Sequence, residues 1–188
     1  MQRRFLLPHL ILGVLSLLAA GAAISSVLVW APTGTDLAVH NAAGAVLHAT
    51  TVVGKYTQTT LRGETINFAY HAPDRVTAHF SGPVKGVSHA PQSTTGAAAK
   101  NVLSPVSELT TLKGFNGHGS LYLVAETIKQ LVAPTQRAAI TGTFRAVATV
   151  TTGYVVRVQE HIAAKQGGRQ ITDHIDYRLN RVDGWTRS

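Results

Sequence analysis

Cysteine is absent from the 188 residues. That removes disulfides, thiol nucleophiles and cysteine zinc sites, and with them a lipid-modified N-terminal cysteine. Acidic residues are scarce, nine against 17 Lys plus Arg, which leaves a formal net charge of +8. The nine are dispersed, so nothing in the sequence pairs two carboxylates for acid–base work. No Gly-x-Ser-x-Gly elbow occurs, and no glycine-rich phosphate loop lies between a strand and a helix. None of the nine histidines is paired at a zinc-motif spacing with an acidic residue between, so no metal site is expected. The positive charge suits anionic lipid, cell-wall polymer or nucleic acid alike. Because Lys and Arg never run to five or more and are scattered along the chain, nucleic-acid binding is not expected. These absences together argue against an enzyme and name no cofactor.

What the chain does have is a long uncharged run. Arg3-Arg4 precedes it, and residues 10–30 are 21 residues without a charge, enough to cross a bilayer core of about 20 helical residues. The basic pair places the N-terminus inside and the rest outside. A cleaved signal peptide is the competing reading, since Ala20-Gly21-Ala22 fits a small-x-small site. The run exceeds the ~7–15 apolar residues of a usual signal core, which favours a retained anchor. The expected division is residues 1–31 as signal peptide or transmembrane anchor and 32–188 as one extracytoplasmic domain. About 45% apolar residues suffice for one substantial core.

Beyond the linker at 31–35, Thr35 suits a helix N-cap, and residues 36–53 carry Val39, Ala42, Ala43, Val46, Ala49 and Val53 near one face of a helix. After Gly54 the period becomes two, with strands "KYTQTTL", "ETINFAY" and "RVTAHFSG". Residues 83–101 lack a period and read as a mobile loop, with 85–101 as a flap. "LSPVSELTTL" at 103–112 predicts a short helix with Ser104 as N-cap and Pro105 first inside it. Asn116-Gly117 suits a tight hairpin turn, and "TIKQLVAP" a short helix ended by Pro134. Three strands close the chain: "AAITGTFRAVATV", "YVVRVQEHIA" and "RQITDHIDYRLN". In the last, Ile171, Ile175, Tyr177 and Leu179 alternate with Thr172, His174, Asp176, Arg178 and Asn180. Its pairing with the preceding strand is open, setting either Glu160 opposite Asp173 or Arg157 opposite Arg178; His161 and His174 come close across it. The fold class is α+β, an antiparallel sheet covered by the N-terminal helix and short helices.

Parity decides the hairpin at "YHAPDRV". A two-residue loop would mix polar and apolar residues on each face, whereas a three-residue loop, Pro73-Asp74-Arg75, pairs Tyr70 with Ala78 and Phe68 with Phe80. Ile66, Phe68, Tyr70, Val76, Ala78 and Phe80 then share one face, with Asn67, His71, Thr77 and His79 on the other. Asp74 and Arg75 read as a solvated turn.

The order of elements, with Tyr70, Pro73, Asp74 and Arg75 in the hairpin and Tyr177, Arg181 and Gly184 in the closing strand, resembles the outer-membrane-lipoprotein carrier (LolA-like) superfamily and the related lipid-binding lipoproteins of actinobacteria. The resemblance spans roughly residues 36–185. It implies an antiparallel half-barrel whose apolar face shelters lipid or lipoprotein acyl chains, with Ile66, Phe68, Tyr70, Val76 and Phe80 in the lining. The missing lipidation cysteine departs from the lipoprotein members and favours a tethered domain, held through residues 10–30, over a soluble shuttle. The alternative is a non-catalytic extracytoplasmic interaction or sensor module with a filled core.

Overall fold

The computed structural model describes residues 34–127, 140–183 and 185–186. The expected anchor or signal segment lies outside them, as does the helix expected at 126–133, apart from Glu126 and Thr127, which end a strand. Among the described residues no helix is long and apolar enough to cross a membrane.

The first element is helix α1, Gly34–Leu47. Val39, Ala42, Ala43 and Val46 form its buried face, as the helical spacing predicts. Thr35 lies inside the first turn instead of capping it. The helix also stops earlier than expected: Thr51–Gln58 is strand β1. Thr51, Val52 and Val53 are β-branched and lose rotamer freedom in a helix, while an extended backbone lets them pair on both sides. Residues 59–61 form a 3₁₀ turn where a continued strand was expected.

Strands β2 (Thr65–His71) and β3 (Arg75–Ser81) form the hairpin. Its loop has the expected three residues but is Ala72-Pro73-Asp74, one position earlier. Pairing therefore moves by two: Tyr70 faces Val76, Phe68 faces Ala78 and Ile66 faces Phe80. A shift of two keeps parity, so the expected faces survive. Neighbours fix the loop, with Ala72 N–H donating to Thr50 O at 2.9 Å and Gly96 N–H to Asp74 O at 2.9 Å. The Tyr70 hydroxyl donates to Pro73 O at 2.6 Å.

The stretch read as a loop carries structure. Gln92–Thr95 is edge strand β4 on β3, Ala97–Lys100 is a one-turn helix α2, and a 3₁₀ turn (Asn101–Leu103) leads into α3, Ser104–Leu109. Ala-Ala-Ala-Lys favours helix, and Ser-Thr-Thr accepts an extended edge. Pro105 sits in the first turn of α3 as expected, but Leu103 is the N-cap and no side chain caps the helix.

β5 (Asn116–His118) and β6 (Leu121–Thr127) turn at Gly119-Ser120, three residues past the expected site. Gly119 supplies the positive φ of +59° that this tight turn needs. Gly117 is a strand residue instead. A Cβ there would stand 3.0 Å from the Tyr122 ring and 3.1 Å from Thr35, so glycine lets α1 approach this edge.

β7 (Ile140–Thr151), β8 (Tyr154–Gln166) and β9 (Arg169–Val182) follow the expected strands, and Trp185–Thr186 adds a short β10 against β9. The open register resolves as Arg157 opposite Arg178. Like charges opposite one another normally disfavour pairing. Here the Asp176 carboxylate accepts from Arg157 Nε and Nη2 at 2.8 and 2.9 Å and from Arg178 Nε at 3.0 Å, which offsets the repulsion.

The strands form one antiparallel sheet in the order β4-β3-β2-β1-β9-β8-β7-β6-β5. The fold is α+β and mostly β. One face is covered by α1 and by the segment 97–112. The Asp36 carboxylate, fully buried, accepts from Phe115 N–H at 2.8 Å, and His40 Nε2 meets Leu112 O at 2.9 Å, so α1 is tied to the end of that segment. Among the described residues no helix covers the other, open face.

Candidate functional site

The five residues expected to line a ligand site divide in the structure. Phe68, Tyr70 and Val76 lie in the main core with Val39 and Val46 of α1 and Val106 of α3. Ile66, 8% exposed, and its cross-strand partner Phe80, half-buried, lie outside that cluster. The apolar wall is therefore continuous with a packed sheet–helix interface.

Three aromatic rings centre it. Tyr56 and Tyr177 are cross-strand neighbours, stacked at 6.4 Å between centroids, and Phe68 stacks on Tyr177 at 5.5 Å. Beside them a cleft opens between the covering segment and the sheet, lined by Tyr56, Gln58, Asn101, Val102, Pro105 and Ile175. It has room for about one water-sized sphere, about 10 Å³.

Behind the cleft lies a group of carboxylates. One row of the covered face runs Gln58, Ile175, Glu160, Ala146 across β1, β9, β8 and β7. Asp173 is on the same face of β9, two residues from Ile175, and Glu108 approaches from α3. Gln58 Nε2 donates to Asp173 Oδ2 at 2.5 Å, and Asp173 Oδ1 accepts from His174 N–H at 2.9 Å. Glu160 is 1% exposed, and neither of its carboxyl oxygens has a hydrogen-bond partner. Glu108 Oε1 and Gln58 Oε1 are buried and unpartnered too. Burial pushes Glu108 up to about 7. Burial, then the nearby charges of Glu108 and Asp173, push Glu160 well above the usual carboxylate range. A buried carboxyl beside other acids keeps its proton because ionisation would strand a charge in a poorly polarisable interior. Burial thus favours the protonated forms of Glu108 and Glu160 between cover and sheet.

The sequence reading met Glu160 and Asp173 only as a candidate cross-strand pair, not as site residues, and passed over Glu108. A signal existed for two: Glu160 falls between Val158 and Ile162, and Asp173 before Ile175 and Tyr177, both at inward positions of clear alternations. Glu108 joins them only through the packing of α3.

On the open face His161 and His174 face each other directly, with ring centroids 6.3 Å apart. His71 and His79 share this face as expected. Among the described residues no three His, Asp or Glu side chains are arranged to hold a metal ion. Neither a protein-family model nor a curated protein matches the chain.

Proposed function

We propose that this chain is a membrane-tethered, non-catalytic extracytoplasmic interaction module, built as a half-barrel with a filled core. The carrying observation is the covered face itself: Phe68, Tyr70 and Val76 pack with helix residues in one cluster, and the adjoining cleft admits only about one water. A resident acyl chain needs a space that helices leave empty. The tether rests on the uncharged run at 10–30.

A second reading, that the half-barrel takes up lipid or lipoprotein acyl chains, is favoured by one feature. The cleft beside the aromatic stack is walled by Tyr56, Val102, Pro105 and Ile175, and its cover is a separate segment of short helices. Movement of that segment would expose the aromatic wall. Native mass spectrometry of the full chain released from detergent, with uptake of a fluorescent fatty acid, separates the two. The filled-core module gives a ligand-free mass and no saturable uptake; one retained acyl ligand per chain would replace it with the carrier reading.

A further inference from the structure

Six of the basic residues that are scattered in the sequence, Lys55, Arg145, Arg157, Lys165, Arg178 and Arg181, fall on one surface in the fold. Cross-strand registers define a row on the open face: His118, Leu121, Thr149, Arg157, Arg178, Lys55, Asn67, His79. It crosses eight strands, about 34 Å at the usual strand spacing. A parallel row sets Arg145, His161 and His174 side by side across β7, β8 and β9. Lys165 and Arg181 occupy further positions of the same face.

Acids are almost absent there. Asp36 and Glu108 are in helices; Glu126, Glu160 and Asp173 point to the covered face; Glu64, Asp74 and Asp183 sit at strand ends. Only Asp176 is on the open face, and its carboxylate is held by Arg157 and Arg178. Strand alternation has thus separated charge by sign across the sheet. The guanidinium and ammonium groups of Lys55, Arg145, Arg157, Lys165, Arg178 and Arg181 outnumber the single carboxylate on this face and make it net cationic.

Two observations point to a bilayer as the occupant. The uncharged run ends at Trp30 and α1 begins at Gly34, so the chain between them reaches at most about 14 Å. The first turn of α1 lies at the β5 edge, against Gly117. The exposed apolar side chain Leu121 stands at this same edge in the basic row itself, and Leu37 is in that first turn, each 48% exposed. A membrane holding the run would meet this edge first, with apolar groups next to the tether and cations beyond. That is the distribution of an interfacial surface.

We infer that the open sheet face docks on the anionic surface of the bilayer that holds the N-terminal segment. The inference rests on the tethered reading above. The test uses the cysteine-free full chain, which gives single labelling sites directly. Thr149→Cys on the open face and Ser107→Cys on the cover each carry a fluorophore, in vesicles of phosphatidylcholine alone or with about a third phosphatidylglycerol, and acrylamide quenching is read. Docking shields position 149, not 107, only in the anionic vesicles. The shielding is lost at about 1 M NaCl, where the screening length is about 3 Å. It is also lost in Lys55→Glu/Arg145→Glu/Lys165→Glu, whose side chains have no part in the Arg157–Asp176–Arg178 contact. Equal quenching at 149 in both vesicle types overturns the proposal, as does shielding by soluble polyphosphate but not by anionic lipid, which makes the partner a polymer. Flotation with phosphatidylcholine vesicles alone reports the tether separately. If the chain fails to float there, the tether is wrong, and docking then stands or falls on salt-sensitive flotation with the anionic vesicles.

Discussion

Gly54 shows how much a single side chain can matter here. It lies opposite Phe68 on β2 and beside Leu179 on β9, at a register shift between β1 and β9. A Cβ would stand 2.5 Å from Arg178 O, 2.8 Å from the Phe68 ring and 2.9 Å from Leu179. Two of these neighbours are core side chains and one is backbone, so relief requires the sheet to move. Gly54→Ala should therefore destabilise the fold by about 1–3 kcal/mol or more, read from urea unfolding midpoints, although alanine normally improves a glycine position. Tyr70→Phe is a milder case: it deletes the hydrogen bond to Pro73 O, worth about 0.5–1.5 kcal/mol, and leaves the ring in place. Both residues were visible in the sequence, Tyr70 as a member of the apolar hairpin face. The crowding at Gly54 was not, because its neighbours are 14 and 125 residues away in the chain.

The covering elements meet the sheet through polar groups as well as apolar ones. Asp36→Ala would strip the buried Phe115 N–H of its acceptor and loosen α1 from the 112–115 segment, a loss of about 1–3 kcal/mol that thermal melting would register. The acids between α3 and β8 give a pH dependence whose sign is fixed. Glu108 and Glu160 have folded-state pKa values above their unfolded ones, so between the two values the native state binds more protons than the unfolded state. Their favourable contribution is complete below about pH 4.5 and is lost as pH rises through about 7 and beyond. Glu126, also raised by burial, adds to the same slope. Asp176 works oppositely. Although its partial burial opposes ionisation, Arg157 and Arg178 bring it down to about 2, so its contribution is lost only as pH falls below about 4 toward 2. Melting temperature should thus decline from pH 5 to pH 8, and Glu160→Gln should flatten that decline while leaving the pH 4.5 value nearly unchanged. An unaltered slope in the variant would mean that folding does not raise the Glu160 pKa. The elements themselves were partly legible: β7 to β9 and α3 follow from alternation and from Pro105. The helix at 36–53 was overextended because Ala49 and Val53 satisfy a helical period by coincidence, and only the pairing of β1 with both β2 and β9 selects strand.

For the whole molecule, charge segregation yields a prediction separate from docking. Surface substitutions that break no specific contact usually change stability by no more than about 0.5 kcal/mol. Lys55→Glu/Arg145→Glu/Lys165→Glu should therefore unfold near the wild-type midpoint while eluting from a sulfonate resin at markedly lower salt. Retained elution would place the binding charge elsewhere on the surface. Sequence alone determined the parity of the "YHAPDRV" hairpin, the alternation of the late strands and the sign of the net charge, because each depends on neighbours along the chain and on composition. Tertiary structure alone decided which strands lie side by side. It thereby set Lys55 beside Arg178 and Arg157, and gathered Glu108, Glu160 and Asp173 between cover and sheet. Contacts of that kind depend on cross-strand register and on where the covering helices come to rest, and no local pattern in the sequence encodes either.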